Sequence, residues 1–183
     1  MICIEDPLRE EAADMIRALR AEGVQKTVMM TGDSEKTAAA VARRVGVDEY
    51  YAEVLPEEKA GFVEREKALG HKVIMIGDGI NDSPALSAAD AGIAISDGAE
   101  LAREIADITI AAEDLAELVV LKRLANGMMK RIGKNYHQII GINAALIALG
   151  ITGRIRPTSS ALLHNTSTLL ISLRSMRNLL TEE

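Results

Sequence analysis

Aromatic side chains are nearly absent from this chain of 183 residues, which has no tryptophan, one phenylalanine and three tyrosines. Ala, Ile, Leu, Val and Met must therefore fill the core, and the length suffices for one domain with a real core plus an appendage. Cys3 is the only cysteine. A lone thiol excludes an intrachain disulfide and any site built from several thiolates, and it fits a cytosolic face. Met1 runs almost at once into Glu5-Asp6, so no signal peptide is expected. Acids are missing from one region. Val119 to Arg177 holds nine bases and no carboxylate, whereas Met1 to Glu117 carries 25 acids and 12 bases. The overall net charge of -6 hides this division. It points to two different environments for the two halves. No nucleic-acid partner is expected, because phosphate backbones are held by Lys and Arg. The basic part offers separated charges rather than a continuous stripe.

Short apolar runs alternate with helical patterns along the first two thirds. Ile2-Cys3-Ile4 reads as a strand. Asp6-Pro7 opens a helix that keeps its apolar spacing to Gly23. Lys26 to Met30 is a strand ending in Thr31-Gly32-Asp33, and Ser34 to Val45 is a helix stopped by Gly46. Tyr50 to Val54 is the third strand, and Pro56 to Leu69 the next helix. Val73 to Ile76 is a buried strand, Asp82 to Ala88 a short helix, and Gly92 to Ile95 a fifth strand. A helix is expected near Ala99 to Ile105, with a sixth strand at Ile108 to Ile110. This order predicts βαβ units and a doubly wound, Rossmann-type parallel sheet. The domain is expected over 1–114, with a long linking helix and helical hairpin over 115–183.

The segment richest in chemistry is Gly77-Asp78-Gly79-Ile80-Asn81-Asp82-Ser83-Pro84-Ala85-Leu86. It follows a buried strand, and ligands of open α/β sheets bind at strand C-terminal ends. Gly77 and Gly79 let the backbone approach a ligand closely. Asp78 and Asp82 offer hard oxygens suited to Mg²⁺, which takes one or two carboxylates beside phosphate oxygens. An acidic turn is the plain alternative. Thr31 and the amides near Gly32 can hold a phosphoryl oxygen at a helix N-terminus; taken alone, Thr31-Gly32-Asp33 is equally an N-cap turn. Lys59 sits in a first helical turn, where the dipole disfavours cations. Either a buried anion or plain solvation accounts for it.

These motifs in this order resemble the haloacid-dehalogenase-like phosphotransferases, and more closely the phosphorylation domain of heavy-metal P-type ATPases. The wording that carries the likeness is Asp6-Pro7-Leu8-Arg9, Thr31-Gly32-Asp33, Pro56-Glu57-Glu58-Lys59 and the long Gly77 segment. It continues through Ala88 to Ile95, Asn135-Tyr136 and His164-Asn165-Thr166-Ser167-Thr168. The resemblance implies an ATP-driven transporter of a transition-metal cation (copper, zinc, cadmium, cobalt, manganese or iron). Mg²⁺ is the implied cofactor, and ATP the phosphoryl donor in the longer parent. Thr31 and Gly32 would hold the phosphoryl group, and Asp33 would support Lys59 or the nucleotide. Lys59 would neutralise the aspartyl phosphate. Asp78 would ligate Mg²⁺, with Asn81 and Asp82 positioning metal and phosphate. The family's Asp-Lys-Thr-Gly-Thr nucleophile motif is not in this sequence. The chain is thus expected to be the C-terminal piece of a pump, partnered by that pump's N-terminal parts and inactive alone. A stand-alone phosphatase of the same superfamily and a non-catalytic Mg²⁺/phosphate-binding regulatory module are the alternatives.

Asn135 to Thr152 and Thr158 to Leu173 are largely apolar, each near the length of a membrane span. A hairpin in a lipid membrane and a soluble hairpin packed on the domain both fit. Five bases between Lys122 and Lys134, with Arg174 and Arg177, outnumber Arg154 and Arg156 in the turn. That distribution favours a multi-pass cell-membrane protein with both hairpin ends and the α/β domain on the cytoplasmic side. Asn143, His164, Asn165, Ser167 and Thr168 are then candidates for a cation path. Interhelical hydrogen bonding is their other reading.

Overall fold

A computed structural model describes residues 11–77, 81–95, 105–110 and 115–179. The chain divides into two units, Met1–Val120 and Leu121–Glu183. In the first, α1 (Ala12–Ala21), β1 (Val28–Met30), α2 (Glu35–Val45), β2 (Glu49–Tyr51) and α3 (Pro56–Ala68) are followed by β3 (Ile74–Gly77), α4 (Ser83–Ala88), β4 (Ala91–Ile95) and β5 (Ile108–Ile110). The expected strand at Ile2–Ile4, the Asp6-Pro7 helix start and most of the expected helix near Ala99 lie outside the described residues.

Among the described residues the strand pairs are parallel, as the alternation of strands and helices predicts, and they form two ladders, β1-β2 and β3-β4-β5, where a single sheet was expected. One core nevertheless serves both. Val63, Met75, Ala85 and Leu86 are buried together, and Met30 from the end of β1 packs against them. Methionine and alanine fill this core where aromatics are lacking. Gly92 is required by the packing: a Cβ there would lie 2.7 Å from the Leu86 carbonyl oxygen.

Parallel strands need something to fix their register, and aspartate does so three times. Each strand of a pair is entered beside an aspartate that accepts the backbone N–H of its register partner. Asp48 precedes β2 and accepts from Thr27 N at 2.7 Å, one residue before the Val28–Glu49 pair. Asp90 precedes β4 and accepts from Val73 N at 3.0 Å, one residue before Ile74–Ala91. Asp107 precedes β5 and accepts from Gly92 N at 2.9 Å, one residue before Ile93–Ile108. The charged acceptor strengthens each bond. Asp48 also accepts from the Thr27 hydroxyl at 2.7 Å and from Arg20 at 2.8 Å. The Thr27 hydroxyl and amide, then Arg20, hold its carboxyl down at about 2. Asp90 is held low in the same way, by the Val73 amide and then Lys72.

The second unit holds most of α5 (Ala116–Ile151) and all of α6 (Pro157–Ser175). The two helical stretches expected on either side of Asn135 are one helix of 36 residues. Asn135 does not break it because its amide donates across the hairpin to Ser175 Oγ at 2.6 Å instead of competing for its own backbone. Gly153, at φ 68°, ends α5. Its N–H reaches Gly150 O at 3.0 Å and Arg154 N reaches Leu149 O at 3.0 Å, a Schellman closure. Pro157 starts α6. Among the described residues no helix is long and apolar enough to cross a membrane, where two spans were expected. Apolarity rather than length is what α6 lacks. Its 19 residues extend about 28 Å, against a hydrocarbon core of about 30 Å, but His164 to Thr168 are polar in its middle.

The Asp48 clamp has a signed pH consequence. Its folded value lies below the ordinary carboxylate range, so its stabilisation is complete above about pH 4. It is lost as pH falls through about 2. Asp48→Asn is expected to unfold at lower urea than the parent at neutral pH, with the gap closing between those limits. A gap that stays constant with pH would contradict the clamp.

Candidate phosphoryl and Mg²⁺ site

Two clusters occupy C-terminal strand ends in the first unit. At the end of β1, the Thr31–Asp33 loop is stitched to the exit of β2. Thr31 N donates to Tyr51 O at 3.0 Å, Val54 N to Thr31 O at 3.0 Å, and Glu53 N to Asp33 O at 2.9 Å. β2 therefore stops at Tyr51 rather than running to Val54. Glu53 turns the chain at φ 53°, a left-handed conformation uncommon away from glycine. The Thr31 hydroxyl donates to Asp33 Oδ2 at 3.0 Å and accepts from Asp33 N at 3.1 Å. Asp33, expected to support Lys59 or a nucleotide, bonds Thr31 here; two residues apart, they close a local side-chain turn. Gly32 and Asp33 are exposed, and the amide end of α2 follows at Glu35.

At the end of β3 the second cluster is buried. Pro56 begins α3, and Glu58 accepts from Leu55 N at 2.8 Å. That bond uses one of the first-turn donors and fixes the entry of the helix. Lys59 in the same turn donates to Asp82 Oδ1 at 2.7 Å, with side chains only 13% and 11% exposed. The buried anion that would account for a lysine against the helix dipole is thus Asp82. Its carboxylate presses on Gly77, where an added Cβ would lie 2.5 Å from Oδ2. Gly77 is accordingly a site residue for lack of room. Leu86 N donates to Asp82 O at 2.8 Å, so the backbone that starts α4 fixes the same aspartate.

The structure brings Lys59, Gly77 and Asp82 together. Thr31, Gly32 and Asp33 form their own cluster, bonded to β2 rather than to Lys59. Asn81 is exposed. Asp78 and Gly79 lie outside the described residues. Among the described residues no group of three or more acidic, histidine or cysteine side chains could cage a metal. The donor chemistry still fits Mg²⁺, which uses few carboxylates and completes its shell with water and phosphate. In the second unit, His164 Nδ1 and Asn143 Oδ1 meet at 2.8 Å. Ser167 and Thr168 donate to the His164 carbonyl at 2.8 and 3.0 Å; Asn165 is exposed. Sequence reading missed the Tyr51–Val54 stitches, which are main-chain bonds with no side-chain signature. It also missed the register aspartates, although each stands immediately before a strand.

Comparison with known proteins begins with a family match to the first part of the chain. Residues 1–90 match the haloacid dehalogenase-like hydrolase family. Over 178 residues, 97% of the chain, it is 42% identical to the manganese-exporting P-type ATPase of Mycobacterium leprae (strain TN), covering 25% of that protein. It is 41% identical over the same length to the zinc-exporting P-type ATPase of Mycobacterium marinum (strain ATCC BAA-535 / M), covering 24% of it. The crystal structure of a zinc-transporting PIB-type ATPase in the E2.Pi state superposes on 97% of the chain with a TM-score of 0.87 and 34% identity, over 29% of that chain. The chain is homologous to part of the heavy-metal P-type ATPases and spans about a quarter of the length of the relatives it matches.

Removing Lys59 would leave Asp82 buried with no counter-charge, a loss of about 3–5 kcal/mol. Lys59→Met is expected to lower the urea midpoint accordingly. Adding Asp82→Asn should recover part of the loss, because the orphaned charge is then gone. A double variant no more stable than Lys59→Met would contradict a buried, paired site.

Proposed function

We propose that this chain supplies the Mg²⁺- and phosphoryl-binding half of the phosphorylation domain of an ATP-driven heavy-metal cation pump. The observation that carries the reading is the buried Lys59–Asp82 pair against Gly77. It lies at a strand C-terminus in a chain aligned almost throughout with metal-exporting ATPases. In such a pump, phosphoryl transfer is mainly positioning and charge neutralisation. Asp82 and Asp78 would hold Mg²⁺, with Asn81 beside them. The ion would supply charge neutralisation for phosphate oxygens when bound. Lys59 is held by Asp82 with its ammonium fixed in place, ready to share a second anion. Thr31 Oγ1 and the Gly32 amide would bind phosphoryl oxygens, and the bond from Asp33 N fixes the hydroxyl. The nucleophile would come from a segment of the parent pump outside this sequence, with ATP as donor.

The helical hairpin would sit in the membrane of that pump, ends toward the cytoplasm. Exposed Ile139, Ile147, Leu163, Leu169 and Leu173 support the reading, as does the excess of bases at the hairpin ends. The Asn143–His164 contact, with Asn165, Ser167 and Thr168 nearby in sequence, is the candidate cation path. The matched relatives include manganese, zinc and copper exporters, and the cargo here is taken as a transition-metal cation of that kind.

The isolated chain is expected to hydrolyse ATP at background rate with Mg²⁺ present. Linear turnover that survives repurification and disappears in Asp78→Ala would contradict the missing-nucleophile account and favour a stand-alone phosphatase.

A further inference from the structure

An open groove of about 420 Å³ runs between the hairpin helices, lined by Gln138 and Ile142 of α5 and by Ser167, Leu170, Ile171 and Arg174 of α6. Its walls are mostly carbon. A second hollow, lined by Leu170, Leu173, Arg174 and Arg177, is mostly polar. Leu170 and Arg174 belong to both, so an apolar trough opens directly onto two guanidinium groups. We propose that this compound groove binds one anionic glycerophospholipid, with an acyl chain along Ile142, Leu170 and Ile171 and the phosphate at Arg174 and Arg177.

Two observations favour that occupant. The first is charge. From Val119 to Arg177 the chain has nine bases and no acid, and among the described residues neither Arg174 nor Arg177 pairs with a carboxylate. Within that segment no carboxylate is available to them. Guanidinium forks match phosphate oxygens in geometry. The second is how the rim is held. Arg131 donates to Ser175 O at 2.8 Å, to Arg177 O, and to Asn178 O at 3.1 Å. It satisfies carbonyls at and beyond the end of α6 and pins that end against α5, while Arg174 and Arg177 stay exposed. A free inorganic anion would use the guanidinium groups but not the trough. A diacyl lipid uses both, and burial of its methylenes adds to the charge term.

The inference rests on the membrane placement of the hairpin. The full 183-residue chain is floated with vesicles of phosphatidylcholine alone and with added phosphatidylglycerol. The anionic lipid is expected to raise partitioning on the order of tenfold. Arg174→Gln/Arg177→Gln should remove most of that preference, while Arg154→Gln/Arg156→Gln, at the opposite end, should keep it. Excess glycerol phosphate should not displace the chain from the vesicles. Equal partitioning into both vesicles, equal loss in the two double variants, or displacement by glycerol phosphate would each overturn the lipid site while leaving the pump assignment standing. Failure to float with either vesicle would overturn the lipid site and the membrane placement together.

Discussion

A lysine in the first turn of a helix is held inside the protein by one aspartate, and the functional reading depends on that pair. Lys59 stands against the α3 dipole, and Asp82 would be an uncompensated charge without it. Each makes the other tolerable. Such a pair contributes little to stability compared with apolar packing of the same volume. Its presence is better explained by what a fixed ammonium beside a carboxylate can do to a phosphate and a divalent cation. Gly77 belongs to the same constraint, because any larger residue there would displace the carboxylate.

The scaffold serves that arrangement from the opposite ends of the strands. Asp48, Asp90 and Asp107 stand at strand entrances and fix the parallel register; the site lies where strands exit. Charge at the entrances therefore does structural duty, and charge at the exits is left for chemistry. Met30, from the strand that ends at Thr31, packs against the core that holds Met75 of β3. The Thr31 loop and the Gly77 turn are thus products of one packed unit, although their strands share no ladder. The helical unit uses the same economy. Arg131 takes up carbonyls at the end of α6, and Asn135 bonds Ser175.

Much of this was legible in the sequence, for identifiable reasons. The helix ended by Gly46 and the one begun by Pro56 are signalled by residues whose backbone preferences admit few alternatives. The Gly77 segment pointed to a candidate site because glycines and acids follow a buried strand there, and its Asp82 does lie against both Gly77 and Lys59. The end of β2 was not legible. Alternating Tyr50 to Val54 suits a strand, and only the hydrogen bonds to the Thr31 loop turn it at Glu53. The unbroken α5 was also hidden, since the change at Asn135 from a basic to an apolar pattern reads as a boundary between two stretches. Hydropathy alone did not decide the hairpin. Leucines near both ends of α6 suit a span, whereas the polar block from His164 to Thr168 lowers the apolarity of its middle.

The account's central claim is that Thr31, Lys59 and Asp82 serve one phosphoryl- and Mg²⁺-binding pocket. Amide and side-chain resonances of the 183-residue chain, followed by NMR while Mg²⁺ is titrated with inorganic phosphate present, test it most directly. The account requires the Thr31–Asp33 amides, the Lys59 side chain and the Gly77–Asp82 segment to shift together with a single apparent affinity. Shifts at Asp82 without Thr31, or separate affinities for the two clusters, would contradict it.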